Sequence, residues 1–166
     1  MMNQLITPEI IVEKFGLVTL EPEGGMFRSS YRSERTFNDR DLCNAIFYLL
    51  YDDVFSHLHR LPSDEIYHFY YGDPMEILEL SPDGTSRHIV LGNNYLAGHV
   101  PQAVIRANTW HGSRVVPGGS FAFVGTSMSP GFDERDYEHC ENPEQLIASF
   151  PQHEALIRSL TGAHKD

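Results

Sequence analysis

Three histidines and a glutamate between residues 57 and 68 are the side chains of this sequence best suited to chemistry. His57 and His59 are two residues apart, so in a regular strand both imidazoles leave the same face. Glu65 follows a short turn and can return beside them at the start of the next strand. Two imidazoles and a carboxylate suit a divalent transition metal, with His111 as the candidate fourth ligand. The pattern predicts a site for Fe, Mn, Ni, Cu or Zn, and the alternative is a hydrogen-bonded polar cluster that closes one end of a barrel.

The strand that begins at Glu65 carries aromatic residues at every second position, namely Tyr67, Phe69 and Tyr71. If the strand is regular, these aromatics share the face of Glu65 and form the wall of a pocket, with Gln102 as a polar anchor. We therefore expect Glu65 and Tyr67 to be catalytic, Glu65 as a general base where no metal is bound. Phe69, Tyr71 and Gln102 are expected to bind the substrate. The same aromatics could equally be plain core.

Arginines near this segment offer a second kind of contact, because a guanidinium at a barrel mouth can bind a carboxylate or a phosphate. Arg28 and Arg60 are the candidates. Arg60 follows His59 directly and has the opposite strand parity, which limits its reach into the pocket. A solvated or ion-paired surface position is the default for both, and also for Glu23 and Arg32.

The whole chain limits the classes of partner. It has 166 residues and a mass of 18.9 kDa, with a formal net charge of -11 and a pI near 5.1. Nucleic acids and anionic membranes attract basic proteins, so neither is an expected partner. The longest apolar run, residues 45–51, is too short to span a bilayer, and the first residues lack the pattern of a signal peptide. Two cysteines without C-x-x-C spacing are typical of a reducing compartment. We expect a single domain over residues 1–166, located in the cytoplasm.

Short segments rich in β-branched and aromatic residues alternate with Gly, Pro, Asn and Asp turns along most of the chain. Helix starts are predicted at residues 7–9, 142–144 and 151–154, where a proline stands at the first turn. Closely spaced strands with helices only at the ends predict an all-β barrel with its terminal helices packed outside. The predicted strands are 27–33, 44–51, 65–71, 75–80, 87–91, 102–105, 110–116 and 121–128.

The H-x-H pair, Glu65 and the glycine that comes after six further residues, Gly72, resemble the first motif of the cupin superfamily. Of the second cupin motif, P-x-G-x-x-H, this sequence keeps His111. Four blocks are similar, in order, to one small single-domain cupin branch of unknown function. They are E-G-G-M-F-R-S-S-Y-R-S from residue 23, S-H-L-H-R-L-P-S-D-E-I-Y-H-F-Y-Y-G-D-P from residue 56, P-Q from residue 101 and S-P-G-F-D-E-R-D-Y-E from residue 129. The resemblance implies a double-stranded β-helix barrel, of jelly-roll type, and a homodimer.

Three functional classes are compatible with these residues, all with a small molecule as the ligand. The first is a metal-dependent enzyme of the oxygenase, isomerase or lyase type, acting on a small polar molecule in a central pocket. The second is a metal-free sugar isomerase or epimerase, which the barrel permits by analogy. The third is a non-catalytic protein that binds a small molecule. The metal-dependent enzyme is the preferred hypothesis.

Overall fold

The structure, a computed structural model, describes residues 6–162. Three α-helices lie near the two ends of this range: Pro8–Phe15 (α1), Pro143–Ser149 (α2) and Glu154–Ser159 (α3). Short 3-10 turns occupy Tyr95–Ala97, Glu134–Asp136 and Pro151–His153. The strands lie between α1 and α2 and are, in chain order, Val18–Thr19 (β1), Met26–Arg32 (β2), Thr36–Phe37 (β3), Arg40–Asp41 (β4), Asn44–Tyr51 (β5), Ser56–Arg60 (β6), Glu65–Gly72 (β7), Met75–Leu80 (β8), Ser86–Leu91 (β9), Gln102–Ile105 (β10), Trp110–Val115 (β11), Phe121–Met128 (β12) and Glu138–His139 (β13).

Two antiparallel sheets pack face to face to form the barrel. One sheet has the strand order β1-β2-β5-β12-β7-β10, and the other has the order β13-β6-β11-β8-β9. The small hairpin of β3 and β4 stands apart from both. Inward side chains from both sheets bury the apolar area that stabilises the fold. The largest of them are Tyr48, Leu50, Tyr67, Met75, Ile77, Leu91 and Ile105.

The helices cover the outer faces of the two sheets. Helix α1 begins with Pro8 in its first turn and ends at Gly16, whose φ of 64° lies in the left-handed region that favours glycine. Its buried Ile11 packs with outward residues of the six-stranded sheet, including Leu49. Helices α2 and α3 place Ile147 and Ile157 against the outer face of the five-stranded sheet. Each helix therefore buries one apolar stripe, as an amphipathic helix outside a barrel does.

The predicted fold class is confirmed: the chain is a two-sheet barrel of jelly-roll type with short helices at both ends. All eight predicted strands are present, with bounds that differ by at most one residue. No bounds were predicted for β1, β3, β4, β6 and β13, which are five residues long or shorter. Among residues 6–162, no helix is long and apolar enough to cross a membrane.

Candidate functional site

An irregularity in β6 decides which side chains reach the barrel interior. In the pairing of β6 with β11, His59 stands opposite His111, whereas Ser56 stands opposite Ser113. Two residues of β6 therefore face one residue of β11, Gly112, which makes this segment a β-bulge. A β-carbon on Gly112 would lie 2.9 Å from the carbonyl oxygen of Ser56, so only glycine fits here. The bulge directs both Ser56 and His59 inward, although they are three positions apart.

His59, Glu65 and His111 form a compact group of possible metal ligands. One donor atom from each lies within 4.8 Å of the other two, and no more than 7% of any of the three residues is exposed. The rings of His59 and His111 have centroids 4.2 Å apart. Nε2 of His111 donates a hydrogen bond to Oε2 of Glu65 at 3.0 Å. Two neighbouring strands of one sheet and β7 of the opposite sheet thus meet at this group.

The structure does not place His57 in this group, contrary to the prediction of a four-residue site. The reason is the bulge, because His57 and His59 no longer occupy equivalent positions on one strand face. The ring of His57 packs against Phe55 and His139 instead, with centroids at 4.7 and 5.1 Å. Its main chain still serves the site, since the carbonyl oxygen of His57 accepts a hydrogen bond from Nδ1 of His59 at 2.7 Å.

Main-chain carbonyls fix the orientation of both imidazoles in the group. Besides the bond from His59 to His57, Nδ1 of His111 lies 3.3 Å from the carbonyl oxygen of Thr109 and donates to it. In each ring, Nδ1 carries a proton and Nε2 is turned toward the group. A carbonyl partner of this kind is typical of histidines that bind metals through the other nitrogen. The arrangement suits a cation held by two Nε2 atoms and one carboxylate.

The side chains of His59, Glu65 and His111 shift one another's pKa values, that of His111 upward and those of Glu65 and His59 downward. Burial alone would raise the pKa of Glu65, but the hydrogen bond and charge of His111 hold it below its ordinary value. Burial alone would lower the pKa of His111, but the same bond to Glu65 raises it. Burial and the charge of His111 lower the pKa of His59 to about 3. Without a cation, the site therefore contains an imidazolium–carboxylate pair next to a neutral imidazole.

Glu23 is a second carboxylate of this site, and sequence reasoning missed its role by treating it as surface. The hydroxyl of Ser56 donates a hydrogen bond to Oε1 of Glu23 at 2.9 Å. Burial, and next the negative charge of Glu65, raise the pKa of Glu23 to about 7. Two carboxylates with pKa values driven apart are a common arrangement for acid–base chemistry. The pair of glycines after Glu23 was a signal of a tight turn, but nothing in the sequence announced the bulge that turns Ser56 toward it.

A cavity of about 570 Å³ opens beside these carboxylates, and Glu23 and Glu65 both line it. Its walls combine apolar and hydroxyl-bearing side chains, among them Phe27, Ile46, Tyr48, Thr126 and Tyr137. The ring of Tyr137 also stacks on His59, with centroids 5.1 Å apart and planes at 23°. A concave site with a few polar groups and perturbed pKa values is the usual form of a small-molecule site.

Of the predicted pocket residues on β7 and β10, Tyr67 alone lies next to the site. It is buried, and its ring meets His111 edge-on with centroids 6.1 Å apart. Burial, and next the charge of Glu65, raise the pKa of Tyr67 well above its ordinary value. Phe69 points inward but packs with the apolar core, and it is not among the residues that line the cavity. Because its pKa is raised, the hydroxyl of Tyr67 can donate a hydrogen bond to Glu65 but is not a ready base.

Tyr71 and Gln102 do not line the cavity, although strand parity predicted that they would. A bulge in β7 places Phe69 opposite Val124 but Tyr71 opposite Phe123, which turns Tyr71 to the outer face. Gln102 pairs with His68, one residue beyond the inward Tyr67, and therefore points outward. Its amide donates to Nδ1 of His68 at 3.1 Å.

The predicted arginines also point away from the cavity. Arg60 lies on the outer face, where its Nε donates to Glu138 at 2.6 Å and its guanidinium lies 4.8 Å from the centroid of Trp110. Arg28 is exposed and stands opposite the outward Phe47. Among the described residues that line the cavity, Arg32 takes the place expected for Arg28. A bulge between residues 29 and 31 of β2 is what turns Arg32 inward.

Comparisons with known proteins agree with this architecture. The family model of the Cupin superfamily (DUF985) matches residues 9–140. A structure of a protein from Shewanella oneidensis superimposes with a TM-score of 0.87 at 34% sequence identity, covering 96% of this chain and 100% of that one. A hypothetical protein from Leishmania major gives a TM-score of 0.85 at 29% identity, covering 95% of this chain and 100% of that one.

More distant structures share the fold alone. Oxalate decarboxylase from Bacillus subtilis superimposes with a TM-score of 0.58 at 16% identity, covering 91% of this chain and 39% of that one. A comparison with functionally curated proteins finds no match. The family model spans most of the chain, and the Shewanella oneidensis protein is similar along its full length. The chain therefore belongs to the cupin superfamily, in the family DUF985.

Proposed function

We propose that this protein is a metal-dependent cupin enzyme that acts on a small polar molecule. The observation that carries the proposal is the buried group of His59, Glu65 and His111, which borders a cavity through Glu65. Two imidazoles and one carboxylate leave coordination positions open, as catalytic metal sites require. A cation there would act as a Lewis acid that polarises a carbonyl or hydroxyl group of the bound molecule.

The chemistry of the residues fits a divalent transition metal. His59 is neutral over the physiological range, because its pKa is lowered to about 3, so its Nε2 lone pair is available. Glu65 is ionised, because its pKa is held below its ordinary value. His111 must release the proton that it shares with Glu65 before it can bind a cation. Cation binding should therefore release a proton near neutral pH and weaken in acid.

Several cations are candidates, since the ligand set alone does not select one. The distant Bacillus subtilis oxalate decarboxylase is described with Mn(II) centres. Its likeness to this chain is limited to the fold, so Mn²⁺ is one candidate beside Fe²⁺, Ni²⁺, Cu²⁺ and Zn²⁺. A site of two nitrogens and one oxygen binds all of these, with affinities that generally follow the Irving–Williams order.

Metal binding is measured on protein purified without a chelator and without a histidine tag. We expect elemental analysis to find about one transition metal ion per chain. Calorimetric titration of the stripped protein should show a loss of affinity of at least about 100-fold in His111→Gln, since a direct ligand matters no less than its supporting partners. His57→Gln and His68→Gln are matched controls, and we expect both to bind like the unaltered protein. A His57→Gln loss as large as that of His111→Gln would contradict the three-residue site.

Catalysis is tested by following a panel of small hydroxy acids, keto acids and sugars by ¹H NMR. We expect the metal-loaded protein to convert at least one compound, and His111→Gln to lose that conversion together with the metal. Conversion that survives complete removal of metal would favour the metal-free isomerase, because the His111–Glu65 pair is itself an acid–base pair. Metal binding with no conversion of any compound would favour a binding protein.

A further inference from the structure

Glu23 is held in one position by hydrogen bonds to its main chain and to its side chain. The N–H of His57 donates to the carbonyl oxygen of Glu23 at 2.8 Å, and Ser56 binds its carboxylate. The hydroxyl of Tyr48 donates to the next carbonyl, that of Gly24, at 2.8 Å. Gly25 comes next with a φ of 78°, and a β-carbon there would lie 2.8 Å from atoms of Tyr48. The turn is therefore pressed against β5 and β6, and the carboxylate has a fixed direction.

That direction is toward the cavity beside the candidate metal ligands. Glu23 and Glu65 line the same cavity, and each one's charge acts on the other groups of the site. Glu23 is not one of the three residues whose donor atoms lie within 4.8 Å of one another. Ser56 occupies one of its oxygens, which leaves further lone pairs for a bound molecule. Glu23 is thus placed to touch a substrate rather than to hold the cation.

The charges around the cavity indicate which molecules it admits. Among residues 6–162, five acidic residues line it: Glu21, Glu23, Glu65, Asp133 and Glu134. The two lining arginines, Arg32 and Arg135, are ion-paired with carboxylates of Asp41 and Asp133. An acidic cavity whose arginine side chains are already ion-paired disfavours anionic ligands. Uncharged molecules with several hydroxyl groups match its mixture of hydroxyl, carboxylate and aromatic walls.

We propose that Glu23 is the catalytic acid–base residue of this site, and that its substrate is an uncharged α-hydroxycarbonyl compound of the sugar type. The inference rests on the proposed function, because a cation at His59, Glu65 and His111 would polarise the carbonyl group of such a compound. A carboxylate positioned on the cavity wall can then remove the hydrogen of the neighbouring carbon, which that polarisation makes acidic.

The reaction is a proton transfer with no net oxidation. Glu23 takes the proton from the carbon that bears the hydroxyl group, and the electron pair of that C–H bond forms a C=C bond. The π pair of the carbonyl moves to its oxygen, which receives the proton of the hydroxyl group. The oxygen that gave up its proton then forms the new C=O bond, and the electron pair of the C=C bond takes the proton from Glu23 at the former carbonyl carbon, so an aldehyde becomes a ketone. The raised pKa of Glu23, about 7, suits a group that must both take and give a proton near neutral pH.

Exchange of carbon-bound hydrogen with D₂O tests this step without knowledge of the natural substrate. Glyceraldehyde, dihydroxyacetone, ribose and glucose are incubated in D₂O with protein as purified, the protein is removed by ultrafiltration, and loss of the C–H signal is followed by ¹H NMR. We expect exchange above the protein-free blank for at least one probe. Glu23→Gln should slow it by about 100-fold or more, which is the usual contribution of a general base. Glu138→Gln, on the outer face, is the matched control that should exchange normally.

Metal affinity and charge preference separate the possible outcomes. Glu23→Gln should bind the cation within about threefold of the unaltered protein, whereas a loss like that of His111→Gln would make Glu23 a ligand and overturn its assignment. Exchange at the normal rate in Glu23→Gln, or no exchange of any probe by metal-loaded protein, would overturn the assignment of Glu23 as the acid–base residue. Neither result would contradict the metal site. Protein that binds no metal but shows Glu23-dependent exchange would support Glu23 and reject the proposed metal enzyme. Faster exchange of glyceraldehyde 3-phosphate than of glyceraldehyde would refute the preference for uncharged molecules.

Discussion

The pKa of Glu23 has a direct consequence for stability, which Glu23→Gln would expose. Burial beside Glu65 raises this pKa from its ordinary value of 4.5 to about 7. Between these two pH values the folded protein keeps a proton on Glu23 that the unfolded chain has released. The free energy of unfolding must therefore fall as the pH rises from 4.5 to 7, and it stays lower above that range. Glutamine has nearly the same shape and no charge, so Glu23→Gln lacks this loss.

The size of the effect can be worked out from the two pKa values. They differ by about 2.5, and each pKa unit corresponds to about 1.36 kcal/mol, which gives about 3.4 kcal/mol. Glu23 is partly exposed at the cavity wall, so solvent screening reduces the expected effect to about 2 kcal/mol. We expect the two proteins to have similar stability near pH 4.5 and Glu23→Gln to be more stable by about 2 kcal/mol at pH 8.

Urea unfolding at intervals between pH 4.5 and 8.5 measures this difference. Both proteins are stripped of metal and kept with a chelator, so that no bound cation contributes to stability. The quantity of interest is the free energy of unfolding of Glu23→Gln minus that of the unaltered protein, because the titration of His59, Glu65 and His111 then largely cancels. A difference that does not change with pH would show that Glu23 is an ordinary solvated carboxylate, and its proposed buried environment would be refuted.

Two further predictions concern the bulge and the outer face. Gly112→Ala places a methyl carbon 2.9 Å from the carbonyl oxygen of Ser56, so we expect a loss of about 1–3 kcal/mol in urea unfolding and weaker metal binding. Gly162→Ala is its control, since the new carbon there would make an ordinary contact at 3.6 Å, and equal losses in both would contradict the role of the bulge. Arg60→Ala and Gln102→Ala should change stability by less than about 1 kcal/mol and leave metal affinity unaltered, and a clear loss of affinity would place these residues in the site after all.

The fold could be predicted from the sequence because the signals for strands, turns and helix starts are local and repeated. Segments rich in β-branched and aromatic residues between turn signals predicted eight of the strands, and proline–acid pairs marked the helix starts at residues 8 and 143. Short strands such as β3 and β13 escaped notice because two residues carry no periodicity. The homodimer and the cytoplasmic location stay predictions.

The site was only partly accessible, because strand parity holds only along a regular ladder. Glu65 and Tyr67 precede the irregular part of β7, and both point where parity predicted. Tyr71 comes after the bulge and points outward. His59 and His111 were named from their residue types and motif positions, and the structure brings both into the group. His57 lies outside the group, because its predicted place there needed a regular β6.

The bulges in β2, β6 and β7 together determine which side chains line the cavity. Each bulge inserts one residue into its strand and reverses the parity of the residues after it. The bulge in β6 lets both Ser56 and His59 point inward. The bulge in β2 turns Arg32 inward, and the bulge in β7 turns Tyr71 outward. A regular strand delivers side chains to one face at intervals of two residues, which suits a continuous apolar core. The acid–base step proposed for Glu23 instead uses one carboxylate supported by a hydroxyl beside another that is paired with an imidazole. The bulge in β6 supplies this arrangement, because it brings Ser56 to Glu23 while His59 remains beside Glu65 and His111. Since β-bulges commonly re-aim side chains next to active sites, this irregularity itself favours a catalytic role for the cavity over simple packing.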